Sequence, residues 1–224
     1  MIDTRVQNQS LEADTECRDA LIRFLEELQY ADVEGLLQRL DKYAELLFQH
    51  NAIVNMVSRK MTQQMYYTHH FLDSLMILNC MTPVGASVLD FGTGGGLPLL
   101  PLKLAYPTIK AVYLDSTHRK IDALHLILEG LGLRSQHAVC CRLEDYALPA
   151  NANRFDYAVC RAVAMEERYR KPLHQILKPG AKVMFYKAQK IDDLAGYKYR
   201  LEYETQHPIL GYRRILSIEK KDLR

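Results

Sequence analysis

The hydrophobic pattern splits the chain into two unlike parts. Over residues 16–30, Ala20, Leu21, Phe24, Leu25 and Leu28 recur at helical spacing, and over residues 33–50 Leu36, Leu37, Leu40, Tyr43, Ala44, Leu47 and Phe48 form a second stripe. A third helix is predicted over residues 62–79, carrying His69, His70, Phe71, Leu72, Leu75 and Leu78. After Pro83 and Gly85 the pattern changes to short apolar runs, each followed by a loop and usually an amphipathic stretch. Strands are predicted at 87–91, 110–114, 138–141, 157–160 and 182–186, and helices at 97–105, 118–130 and 166–177, the last stopped by Lys178, Pro179 and Gly180. Residues 199–203 and 214–219 suit two further strands, with Pro208 and Gly211 turning the chain between them.

This alternation predicts an α/β, Rossmann-like fold: a mostly parallel seven-stranded sheet ending in an antiparallel hairpin, with helices on both faces. Residues 1–82 form an N-terminal helical cap and 83–224 the sheet domain, the two expected to make one compact unit.

Composition adds limits to this picture. At 224 residues and 48% hydrophobic the chain can bury one full core, which excludes a disordered or collagenous protein. The net charge of +2 does not mark a nucleic-acid binder, but its distribution is uneven: residues 1–60 are net minus four and residues 161–224 net plus seven. Cys17, Cys80, Cys140, Cys141 and Cys160 lack paired zinc-site spacings and read as free thiols in a reducing compartment. The first twenty residues carry charges and no apolar run, and no apolar stretch reaches the roughly 20 residues of a membrane span. A cytoplasmic, monomeric protein without membrane contact is expected.

The strongest local signal is Val88, Leu89, Asp90, Phe91, Gly92, Thr93, Gly94, Gly95, Gly96. A strand running into glycines lets the backbone approach a ligand closely at the crevice where such sheets bind cofactors. No Lys and Ser or Thr close it in the manner of a phosphate loop. The second strand leads directly into Asp115, 21 residues after Gly94, where an acid can accept from both hydroxyls of a ribose or cap the following helix. Asp90 bears on the cofactor: it would repel a pyrophosphate but suits the ammonium and sulfonium charges of S-adenosylmethionine, and the same side chain can instead hold the loop through backbone hydrogen bonds. Leu143, Glu144 and Asp145, after the third strand, can meet an adenine. Arg161, at the end of the fourth strand, points into the same crevice, to hold a phosphate, an acceptor base or a neighbouring acid. His69 and His70 are adjacent and lack metal-site spacing, and no serine-hydrolase elbow is present, so no metal ligands are expected.

Residues 88–98, 114–120 and 160–164 together carry a family resemblance. The chain resembles the bacterial small-subunit ribosomal RNA methyltransferase G family, also called glucose-inhibited division protein B, over about residues 41–219. Asn55 within residues 51–57, His-Phe-Leu-Asp-Ser-Leu at 70–75, Leu-Asp-Ser at 114–116 and Cys-Arg-Ala-Val-Ala at 160–164 are similar to its motifs. The sequence departs from the family at Val57, Leu99, His118, the Arg119 and Lys120 pair, and Ala188.

The resemblance implies a class I S-adenosylmethionine-dependent methyltransferase acting on N7 of a guanine in 16S ribosomal RNA, free or in the small ribosomal subunit. The expected cofactor contacts are Asp90, Gly92, Thr93, Gly94, Leu97, Asp115, Ser116, Leu143, Glu144 and Arg161. Arg161, Asn55 and His70 are the expected catalytic group, and Arg119, Lys187, Arg213 and Arg214 the expected RNA contacts. Two other readings stay open: a methyltransferase for another RNA, a protein or a small molecule, with the N-terminal helices as a lid, and a non-catalytic RNA- or partner-binding protein on the same fold.

Overall fold

The computed structural model describes the backbone of residues 4–134 and 137–224 and the side chains from Glu16 onward within those spans, so the first three residues of the expected cap lie outside the described residues. The cap opens with helices α1 (Thr4–Glu27) and α2 (Val33–Ile53). The first starts well before the expected residue 16. Asp32 caps α2 by accepting from the Gly35 amide at 3.0 Å, which satisfies one of the orphan donors of the first turn.

The third predicted helix is not one continuous α-helix. It is a π-helical stretch (Tyr67–Leu72), one α-turn, α3 (Asp73–Leu75), and a 3-10 turn (Met76–Asn79). Over two turns a period of 3.6 residues cannot be told from a wider one, so the apolar pattern concealed the change. The widened turn leaves the carbonyls of His69 and His70 able to accept from Arg161 Nη1, at 3.3 and 3.4 Å.

The sheet contains β1 (Ser87–Phe91), β2 (Lys110–Asp115), β3 (His137–Cys140), β4 (Phe155–Arg161), β5 (Leu177–Lys187), β6 (Arg200–His207) and β7 (Gly211–Glu219), in the order β3-β2-β1-β4-β5-β7-β6. The first five strands are parallel, and β7 pairs antiparallel with both β5 and β6. Helices α4 (Leu99–Ala105), α5 (His118–Gly130), α6 (Leu143–Tyr146) and α7 (Glu167–Ile176) connect and cover it. Most strand boundaries moved by a few residues, and those of helices α4 and α7 moved as well. Helix α4 starts two residues later than expected, because Pro98 disfavours helical backbone at Leu97. Helix α7 passes directly into β5 at Leu177, and residues 178–181, with Gly180 at φ +79°, bulge before regular pairing starts at Lys182.

Side chains alternate between the two faces of the sheet. Val88, Tyr113, Met184 and Ile215 join the core that contains the cap, α4 and α5, whereas Leu89, Val112, Leu114, Phe185 and Leu216 join the core under α6 and α7. The cap is therefore packed into one of the two hydrophobic cores. It also grips the glycine loop: the Tyr43 hydroxyl donates to the Gly95 carbonyl at 2.7 Å, and fully buried Leu47 lies so close that a Cβ on Gly95 would come within 2.8 Å of it. Leu47→Ala should cost about 3 kcal/mol by urea denaturation. A loss below about 1 kcal/mol would show that the cap contributes little to this core.

Candidate functional site

The strand order reverses between β1 and β4, so a crevice opens at their carboxyl ends. The loop after β1 uses positive φ at Gly92 (+72°), Gly94 (+55°) and Gly96 (+100°), backbone that favours glycine. Its shape is held by Thr93 N donating to Leu114 O at 2.9 Å and by Gly94 N donating to Asp115 Oδ2 at 3.0 Å. Asp115 Oδ1 accepts from Thr117 N at 2.9 Å. The acid thus ties the two strand ends together and opens α5, and each oxygen keeps a lone pair for a further donor.

Asp90 is completely buried. Its Oδ2 accepts from the Thr93 hydroxyl at 2.7 Å and from Leu99 N at 3.3 Å, while Oδ1 is buried without a hydrogen-bond partner. Burial pushes this carboxyl up to about 7, against the opposing effect of its two hydrogen bonds and of Arg161.

A cavity of about 270 Å³ lies at this edge, lined by Phe91, Gly92, Asp115, Ser116, Leu143 and Glu144 among others. Gly92, Asp115, Ser116, Leu143 and Glu144 of the expected cofactor set are thus brought together. Asp90, Thr93 and Gly94 shape the loop from below and beside it. Leu97 is a correction: it is buried in the core, its amide donating to Thr93 O at 3.0 Å, and it does not line this cavity. Arg161 does not line it either.

Arg161 faces the other side. It lines a cavity of about 160 Å³ with Asp73, Tyr186, Lys187, Arg213 and Arg214. Next to it, a cavity of about 800 Å³ runs past residues 162–164, Lys187, Tyr212 and Arg213. Val163 lines both this larger cavity and the Asp115 cavity, and it lies so near Gly92 that a Cβ there would approach its Cγ2 to 2.4 Å. Ala162, in left-handed backbone at φ +60°, turns the chain between Arg161 and Val163.

Several expected acceptor-side residues are engaged by their own chain. Arg161 Nη1 pairs with Asp73 at 2.9 Å and Arg213 Nε with the same acid at 3.0 Å. Lys187 pairs with Asp193 at 2.5 Å, and Arg214 donates to the carbonyls of Ala188 and Gln189. The basic C-terminal quarter is thereby partly neutralised from within, Lys182 with Glu202 and Lys221 with Glu219 included. His70 is buried: its Nδ1 lies 2.9 Å from the His69 carbonyl and 3.4 Å from Arg161 Nη2, and its Nε2 is buried without a hydrogen-bond partner. Burial first, then Arg161, pushes His70 down to about 3, so it stays neutral. Asn55 is exposed beside Met56, whose carbonyl faces Gly94; the buried asparagine is Asn51, which accepts from the amides of Met56 and Val57 at 2.8 and 3.0 Å. Arg119 is exposed on the first turn of α5 and lines neither cavity face.

The pattern did not single out Asp73 or Val163. Asp73 carried a signal, since an acid inside the apolar run Phe71–Leu78 must find a partner once buried.

Comparison with known proteins decides the family. The family model described as rRNA small subunit methyltransferase G (GidB) matches residues 36–207, more than half of the chain. The chain belongs to this family. The ribosomal RNA small subunit methyltransferase G of Chlorobium phaeobacteroides is 32% identical over 183 residues, covering 78% of this chain and 81% of that protein. Among solved structures, a SAM-dependent methyltransferase from Aquifex aeolicus aligns with TM-score 0.51 at 17% identity over 66% of this chain and 89% of its own. TrmN from Thermus thermophilus aligns with TM-score 0.53 at 15% identity over 77% and 52%. These likenesses show the class I methyltransferase fold, and membership of the rRNA small subunit methyltransferase G family makes this GidB-family chain a methyltransferase.

S-adenosylmethionine fits the residues present in this GidB-family chain. An unpartnered, buried carboxylate oxygen at Asp90 suits an ammonium group, the Asp115 lone pairs suit a ribose, and Leu143 and Glu144 offer apolar and accepting surface to an adenine.

Proposed function

We propose that this chain transfers the methyl group of S-adenosylmethionine to N7 of a guanine in 16S ribosomal RNA, acting as a cytoplasmic monomer on the free RNA or the small subunit. The observation that carries this reading is a pair of cavities meeting at Val163: one sets Asp115 and Glu144 beside Arg142 and Arg168, and the other gathers Arg161, Lys187, Lys190, Arg213 and Arg214 against Asp73, Asp192 and Asp193, a basic excess. The name of the Chlorobium relative supports the RNA class.

The bound cofactor supplies a methyl group on a positively charged sulfur. The chain's own residues do the rest: Asp90 and Asp115 hold the donor side, Val163 walls it from the acceptor, and Arg161, Arg213 and Lys187 give an RNA phosphate or base edge a fixed set of donors. Guanine N7 carries a lone pair and no proton, so its attack requires no general base. That matches a site where the nearest histidine, His70, is buried and neutral.

The test is transfer of labelled methyl from S-adenosylmethionine to 16S ribosomal RNA or small subunits from a strain lacking the gene, followed by mapping of the modified nucleotide. Label at a guanine N7 is expected. Label only in small molecules or protein would overturn the substrate, and RNA binding without cofactor affinity in calorimetry would overturn the enzyme.

A further inference from the structure

Three elements that are remote in sequence meet on one carboxylate at the acceptor side. Asp73, from α3 of the cap, accepts from Arg161 Nη1 of β4 through Oδ2 at 2.9 Å and from Arg213 Nε of β7 through Oδ1 at 3.0 Å. The acid's side chain is 10% exposed and the two arginines are 15% and 28% exposed, so these pairs are sheltered from solvent screening. Arg161 Nη1 is further fixed by the carbonyls of His69 and His70 in the π-helical stretch, and Arg213 Nη1 by the Tyr212 carbonyl at 3.0 Å. Arg161 Nε and Arg213 Nη2 have no protein acceptor among the described residues, and both side chains line the same cavity of about 160 Å³.

An acid in a cation-lined pocket weakens attraction for a polyanion. It gains something only if the geometry of those cations matters more than their net charge. A guanidinium is a planar fork whose donors point in fixed directions, and an ion pair through one edge sets where the other edge points. We propose that Asp73 is a positioning residue of the acceptor site, holding Arg161 and Arg213 so that their remaining N–H groups meet the RNA in one arrangement. The role rests on the reading that the acceptor is RNA. It assigns to the cap a share in building the site: β4 and β7 are separated by β5, and the cap supplies the bridge between their arginines.

This role predicts a split between affinity and rate. In Asp73→Asn an amide of the same shape accepts from only one arginine, and the pocket loses a negative charge. The RNA dissociation constant should stay level or tighten, while the single-turnover rate at saturating RNA falls at least about tenfold. Cofactor affinity by calorimetry should stay within about twofold. Arg213→Lys, which keeps the charge without the fork, should show the same split, and the double variant should fall little below the worse single one. A rate close to wild type, or rate and RNA affinity lost together, would refute positioning.

A second measurement needs no turnover and reads the clamp if either variant folds poorly. In spectra of protein with 15N-labelled arginine, the Arg213 Nε–H should be protected from solvent exchange in the native protein and lose that protection in Asp73→Asn. An unprotected signal in the native protein would overturn the clamp. Protection in a native protein that methylates no RNA would sustain the clamp and defeat the substrate reading instead.

Discussion

Replacing Arg161 by alanine is expected to lower methyl transfer at least about a hundredfold while leaving S-adenosylmethionine affinity close to wild type. The side chain lines the cavity shared with Asp73, Lys187 and Arg213 and not the Asp115 cavity, which is why the two readouts should separate. The same change removes one of two cations from a buried acid and strips the His69 and His70 carbonyls of a donor. Stability should therefore fall by about 3 kcal/mol, near the lower end for breaking a buried pair, because Arg213 still neutralises Asp73. Urea denaturation measures the second effect and single-turnover transfer the first. Equal loss of transfer and of cofactor binding would reduce Arg161 to a structural strut.

The second large effect is a pH dependence centred on Asp90. Burial lifts this carboxyl from its ordinary 3.8 to about 7, so the folded protein retains a proton that the unfolded chain releases. The sign follows: the contribution of this group to stability is complete below about pH 4 and is lost as the pH rises to about 7. A cation held at the unpartnered Oδ1 favours the ionised carboxylate. Binding S-adenosylmethionine through its ammonium group should therefore release the proton, and affinity should tighten by up to about tenfold per pH unit below 7 and then level. In Asp90→Asn this slope should vanish and affinity at pH 7.5 should weaken about tenfold or more. Calorimetry at several pH values between 5.5 and 7.5 reads both. A flat profile in the native protein would show that the ammonium group is held elsewhere.

Much of the glycine-loop side of the crevice was legible in the sequence because its determinants are local. Residues 88–96 announce a strand that runs into glycines, and the step from Leu114 to Asp115 marks the next strand end; parallel topology then forces both to the same edge. The acceptor side was only half legible. Arg161 could be placed at the carboxyl end of its strand, but its partner is 88 residues away, on a stretch whose periodicity resembled an ordinary helix. Arg213 was expected to meet RNA, and its Nε is instead committed to Asp73 140 residues away. Lys187 was expected to face phosphate and is paired with Asp193. Charge along a chain says how many cations are present and nothing about which of them the chain itself neutralises.

The two halves of the site differ for that reason. The sequence by itself determined the order of strands and helices, the glycine loop and the acids beside it, because these follow from side-chain period and from backbone freedom at single residues. Only the tertiary structure decided that Val163 stands between two cavities, that the cap reaches across the sheet with Asp73, and that His70 is buried and neutral. Those are consequences of which surfaces come together, and burial, pairing and proton affinity do not exist until they do.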